Sequence, residues 1–197
     1  SSYKEGHAKV EANISGSKEE FKFNPDVPQA TIVGETELSV SNPPTGAIVL
    51  GSNNIVSGIN IENNSQDYIG IYGEEVEGNI NINNNNIKLN LDATVAIGFR
   101  PSENIGKIRI TDNNLDNINQ SDGGYSFGVT INYSEYKSDL DNRLVIENNV
   151  IKDYDYGIVV RSDSTEIDNE DYKDKLESNN TFEVIEQEKV HLGPLVN

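Results

Sequence analysis

The segment NININNNNIKLNLDATVAIGF, residues 79–99, decides the fold. Four consecutive asparagines, Asn83 to Asn86, interrupt a run of alternating isoleucines. Asparagine is a poor strand and helix former and a good turn former. The run is therefore either a low-complexity polar tract or one corner of a repeat whose turns require Asn. The rest of the chain separates the two. From Ile80 the pattern is apolar-x-apolar-x-Asn-Asn-x-apolar: Ile80, Ile82, Asn84, Asn85, Ile87. It returns as Ile108, Ile110, Asp112, Asn113, Leu115 and again as Leu144, Ile146, Asn148, Asn149, Ile151. Weaker copies read Ile59, Ile61, Asn63, Asn64 and Leu38, Val40, Asn42, and a degenerate last copy reads Leu176, Ser178, Asn179, Phe182.

A second element follows each copy: apolar-Gly-apolar-x-apolar. It is seen at Ile69-Gly70-Ile71, Phe127-Gly128-Val129-x-Ile131 and Tyr156-Gly157-Ile158-x-Val160, with Ala96 replacing Gly in Val95-Ala96-Ile97-x-Phe99. The second asparagine falls at 64, 85, 113 and 149, in steps of 21, 28 and 36. Both elements alternate with period two, so the unit is built from short strands. A period stretched by insertions marks a solenoid whose rungs bury their apolar faces on one another. These rungs resemble the right-handed parallel β-helix of pectate lyase-like proteins over roughly residues 30–185. The resemblance implies an all-β fold, a single solenoid of about six coils. It implies no chemistry, because that architecture carries many functions. Expected inward columns are Ile61/Ile82/Ile110/Ile146 and Ile71/Ile97/Val129/Ile158. The turn asparagines are expected in the left-handed conformation, with their side chains in a hydrogen-bonded ladder.

Composition agrees with strands. Apolar residues are 35% of the 197, led by Ile and Val, with no Met, Trp or Cys. A net charge of −18 repels phosphate backbones and argues against a nucleic-acid partner. No apolar run is long enough to span a membrane as a helix, and no signal peptide is read. The chain opens with Ser and reads as a processed or excised piece; an extracellular or cell-surface location is expected. Residues 1–29 are read as an irregular N-terminal coil or cap, 30–161 as the rungs, and 162–197 as an acidic surface loop, DSTEIDNEDYKDK, with a last coil that closes the stack.

Four positions after each Gly of the second element stand Glu74, Arg100, Asn132 and Arg161, which the repeat places in one outward column about 4.8 Å apart. Insertions at 100–107, 132–142 and 161–175 flank it and bring Tyr133 and Tyr136, while QSDGGYS brings Asp122 and Tyr125. Arginine can hold a carboxylate bidentately and tyrosine can stack on a sugar face, so these eight residues are the candidate ligand site. The plain alternative is a set of solvated or paired surface arginines. No catalytic residues are assigned: the G-H-G and R-I-K motifs of the resembled enzymes are missing, and His7 and His191 sit near the termini. The acidic clusters Asp112/Asp116/Asp122, Glu135/Asp139/Asp141 and Asp163/Glu166/Asp168/Glu170/Asp171 make calcium the one cofactor to consider, but none has a known calcium spacing. No metal ligand is assigned. The expected function is a non-catalytic surface module, of adhesin or fibre-tip type, whose side loops bind a glycan or a host-surface receptor. The alternative is a polysaccharide lyase or epimerase acting on uronates, with Arg100 and Arg161 at its groove.

Overall fold

A computed structural model of the chain describes residues 9–14, 17–22, 30–34, 46–50, 53–63, 69–89, 94–118, 125–134, 140–163 and 167–194. Its strands are β1 (Lys9–Ile14), β2 (Ser17–Lys22), β3 (Ala30–Gly34), β4 (Gly46–Val49), β5 (Ile55–Ser57), β6 (Ile59–Asn63), β7 (Ile69–Asn83), β8 (Asn86–Leu89), β9 (Val95–Thr111), β10 (Asn114–Asn117) and β11 (Phe127–Tyr133). After the short helix α1 (Leu140–Arg143) come β12 (Leu144–Glu147), β13 (Val150–Ser162), helix α2 (Glu170–Ser178) and β14 (Thr181–Leu192). All pairings except the antiparallel β1–β2 hairpin are parallel. The protein is an all-β parallel solenoid, a β-helix, of about four turns.

Each turn has three faces. The first carries β3, β6, β8, β10 and the starts of β13 and β14. The second carries β4, the starts of β7 and β9, then β11 and the ends of β13 and β14. The third carries β5, the ends of β7 and β9, and β12. A chain with this β-branched alternation cannot bury one apolar face alone, so successive turns supply the cover. The inward columns run Val56/Ile82/Ile110/Ile146, Ile61/Ile87/Leu115/Ile151 and Ile71/Ile97/Val129/Ile158/Val190. All are at most 4% exposed.

The first of these columns corrects the sequence reading, which placed Ile61 under Ile82. Ile61 instead pairs with Ile87, on the next face. The true partner of the corner at Asn84 is Gly58, with φ 71° against 53° for Asn84, 58° for Asp112 and 58° for Asn148. Glycine adopts the left-handed conformation as readily as Asn, so the corner is present without its asparagine. Asn63–Asn64 merely imitates it. The first step between rungs is thus 26 residues, from Ile59 to Asn85, not 21. The expected six coils become about four, with the Leu38–Asn42 copy lying outside the described residues.

The ladder is the spine of the stack. Each second asparagine accepts from the rung below and donates onward: Asn85 N and Nδ2 to Asn113 Oδ1 at 3.0 and 2.9 Å, and Asn113 N and Nδ2 to Asn149 Oδ1 at 3.0 and 2.9 Å. Asn149 repeats the pair onto Asn180 Oδ1 at 3.0 and 2.9 Å. Every Nδ2 also donates to a carbonyl of the inward isoleucine column, Val56, Ile82, Ile110 or Ile146. The groups buried by stacking are thereby satisfied.

The acidic segment departs from the surface loop expected of it. Residues 170–178 form α2, capped by Asn169, whose side chain accepts from Tyr172 N, with Glu170 and Asp171 in the first turn. Tyr172 and Leu176, one helical turn apart, are buried and lie on the open third face above β12, where the Tyr172 hydroxyl reaches Leu144 O at 3.4 Å. The segment covers an edge that would otherwise expose unpaired backbone. At the opposite end the β1–β2 hairpin adjoins β3 and β4.

Candidate functional site

Glu74, Arg100, Asn132 and Arg161 do form one column at the end of the second face. Glu74 registers with Arg100 and Asn132 with Arg161, and the Ile131–Phe99 pairing joins the two pairs. The lower half is internally satisfied. Glu74 accepts from the Tyr72 hydroxyl at 2.9 Å. Burial, then this hydrogen bond and the carboxylate's charge, pushes the Tyr72 phenol up to about 12. Arg100 donates to Asp163 at 3.0 Å, with both side chains roughly half exposed. The upper half differs. Among the described residues Arg161 has no ion-pair partner, and its Nε and the neighbouring Asn132 Oδ1 are buried without a hydrogen bond.

The column does not gather the remaining candidates. Tyr133 is 3% exposed and belongs to the core, because strand alternation turns it inward next to the outward Asn132. Tyr125 is 52% exposed but lies at the other end of the face, before β11. Asp122 and Tyr136 lie outside the described residues.

Tyr125 has different company, missed in the sequence. Its ring meets Tyr156 edge-on at 5.7 Å, and Tyr156 stacks on Phe127 at 5.5 Å with planes 17° apart. His191 meets Tyr156 edge-on at 6.0 Å. His191 registers with Val159, so it stands on a rung although it lies near the terminus. Its Nδ1 lies 2.8 Å from Glu188 Oε2, and Lys173 on α2 reaches Glu188 Oε1 at 2.6 Å. Burial raises the Glu188 carboxyl, but the hydrogen bonds from Lys173 and His191 outweigh it and hold the group below its ordinary value. Burial, then the Tyr125 and Glu188 charges, raises the Tyr156 phenol. The signal was available: Phe127 and Tyr156 both occupy the position before the motif glycine. Below the cluster the corner is pinned by Asp155, whose Oδ2 accepts from Ser126 N and Oγ at 2.7 and 2.8 Å.

No protein-family model, curated protein or solved structure matches the chain. Among the described residues no helix is long and apolar enough to cross a membrane.

Proposed function

We propose that this β-solenoid is a surface or extracellular binding module of adhesin or fibre-tip type, with a glycan as its ligand. One observation carries the reading. Tyr125, Tyr156 and Phe127 present a contiguous aromatic surface bordered by Glu188, His191 and Lys173. Aromatic faces receive the apolar face of a sugar ring, and a polar rim orients its hydroxyls. The rim is rigid because each member is already hydrogen-bonded, which lowers the ordering cost of binding. At the far end of the face, ~17 Å away for five residue steps along β13, Arg161 offers a second contact for an acidic substituent.

Binding is favoured over uronate elimination. Elimination requires a base poised near neutral pH. Among the described residues, the column's carboxylate, Glu74, is held by Tyr72, and the neighbouring Asp163 by Arg100, while the Tyr72 phenol is pushed away from neutrality. The test is a glycan array followed by calorimetry on the best ligand. Tyr156→Ala should weaken binding about tenfold, the equivalent of ~1.4 kcal/mol. Unchanged affinity in both Tyr156→Ala and Arg161→Ala, or release of an unsaturated product, would overturn the reading.

A further inference from the structure

A second polar site lies on a different corner, where the asparagine run turns from the third face to the first. A hollow of about 360 Å³ is lined by Asn84, Asn85, Asn86, Lys88, Asp112 and Asn114. That volume stands at the small end of ligand sites, ~300–1,000 Å³. Two successive rungs build it. Asn84 and Asp112 occupy the left-handed corner positions, anchored by Asn84 N to Thr111 O and Asp112 N to Glu147 O, both 3.2 Å. Asn86 registers with Asn114, whose Nδ2 donates to Asn86 Oδ1 at 2.9 Å. Asn85 is consumed by the ladder and supplies the floor.

What remains unused faces outward. Asn84 spends Nδ2 on Asn83 Oδ1 at 3.1 Å and keeps its oxygen. Asn86 keeps its Nδ2 donors and Asn114 its oxygen. Among the described residues the Lys88 ammonium and the Asp112 carboxylate have no ion-pair partner. The hollow therefore offers alternating donors and acceptors, with one charge of each sign. A phosphate or sulfate would face Asp112, and a divalent cation would find a single carboxylate beside an ammonium. A neutral ligand with closely spaced hydroxyls satisfies both: its hydroxyls donate to the Asp112 carboxylate and the free amide oxygens, and accept from the amide Nδ2 groups and the Lys88 ammonium.

We infer that this corner is a binding site for a single neutral pyranose ring. Its position does not depend on the aromatic surface of the second face, and either site can exist without the other. The geometry is preorganised, since the ladder and the left-handed corners hold every lining residue's backbone in place. An open, aromatic-free hollow of this size should bind with an affinity of about 1–10 mM.

The experiment is a side-chain amide titration by nuclear magnetic resonance. The probes are the methyl glycosides of galactose, glucose, mannose and N-acetylglucosamine, with glycerol as the control polyol. At least one glycoside should shift the Asn84, Asn86 and Asn114 amide signals saturably, and glycerol should not. Asp112→Asn keeps a residue that tolerates the left-handed corner and removes the charge; it should weaken binding at least fivefold. Lys88→Gln, on the strand beside it, should act in the same direction. Tyr156→Ala should leave these shifts unchanged. Absence of any saturable shift, an equal response to glycerol, or identical titrations in both corner variants would overturn the proposal.

Discussion

Asn113 accepts from Asn85 N and Nδ2 and donates to Ile82 O and Asn149 Oδ1, all while 1% exposed. Alanine there strands several buried donors and acceptors at once. Each costs about 1–3 kcal/mol, so Asn113→Ala should destabilise the fold by about 3–5 kcal/mol in chemical denaturation. Asn86 sits in the same run of four but outside the buried ladder, its one side-chain hydrogen bond to Asn114 exposed, and Asn86→Ala should stay within about 0.5 kcal/mol. A second residue carries strain rather than support. Val184 has φ 50° and is 65% exposed, directly above Asp153 at φ 59°. Asp tolerates the left-handed region; a β-branched residue pays about 1–2 kcal/mol for it. Val184→Asn should raise the melting temperature by about 2–4 °C, read by calorimetry. A lower melting point would mean that the valine makes contacts its exposure does not suggest.

At the scale of elements, α2 decides how the third face ends. Asn169→Ala removes its cap and should cost about 1 kcal/mol. Leu176→Ala removes buried packing over β12 and should cost about 2–5 kcal/mol. If the helix were a loosely held surface segment, neither change would move the thermal transition of the whole protein. The small residues of the second face matter in the same way. A Cβ on Gly128 would meet Ile151 Cγ2 and, at 2.6 Å, Gly157 O. Gly128→Ala should therefore cost about 1–3 kcal/mol through overpacking, although Ala96 is accommodated in the rung below. The Lys173–Glu188 pair ties α2 to β14, and its pH dependence follows from the shifts. Glu188 is held below its ordinary 4.5, so its contribution is present above about that pH and is lost as pH falls through the lowered value. Lys173 is raised above 10.5 by the Glu188 hydrogen bond, so its contribution holds below that pH and is lost as pH rises further. The stability difference between the protein and Lys173→Ala should be constant from about pH 5 to 10 and shrink on the acid side. A difference that persists undiminished at pH 2 would show that the lysine stem, not the ion pair, does the work.

Over the whole molecule, an outward column on the first face alternates in sign: Lys88, Asp116, Lys152 and Glu183 stand one per rung. The Asp116 charge, then Asp153, raises the Lys152 ammonium. Such exposed neighbours, not close enough to form ion pairs with one another, add little stability, but the sign pattern disfavours a slip by one rung, which would set like charges together. A protein of charge −18 gains more from salt than it loses in this column, because screening relieves its overall repulsion. Its midpoint of thermal unfolding should rise from low salt to physiological salt.

Much of this architecture could be read from the chain. Period-two alternation and the need for Asn or Gly at a left-handed corner are local properties, so strands, corners, the ladder and the Glu74/Arg100/Asn132/Arg161 column follow from residue order alone. Rung register is not local. The steps between ladder positions are 26, 28, 36 and 31 residues, and loop closure depends only weakly on length. Spacing therefore could not tell that Gly58 and not Asn63–Asn64 formed the first corner; stacking against Asn84 settled it. The same holds for side chains far apart in the chain. Arg100 found Asp163 across 63 residues, leaving Arg161 without an ion-pair partner among the described residues, and β14 carried His191 back beside Tyr156. Those meetings are set by which rung lies on which, a consequence of burying one turn against the next that no single segment encodes.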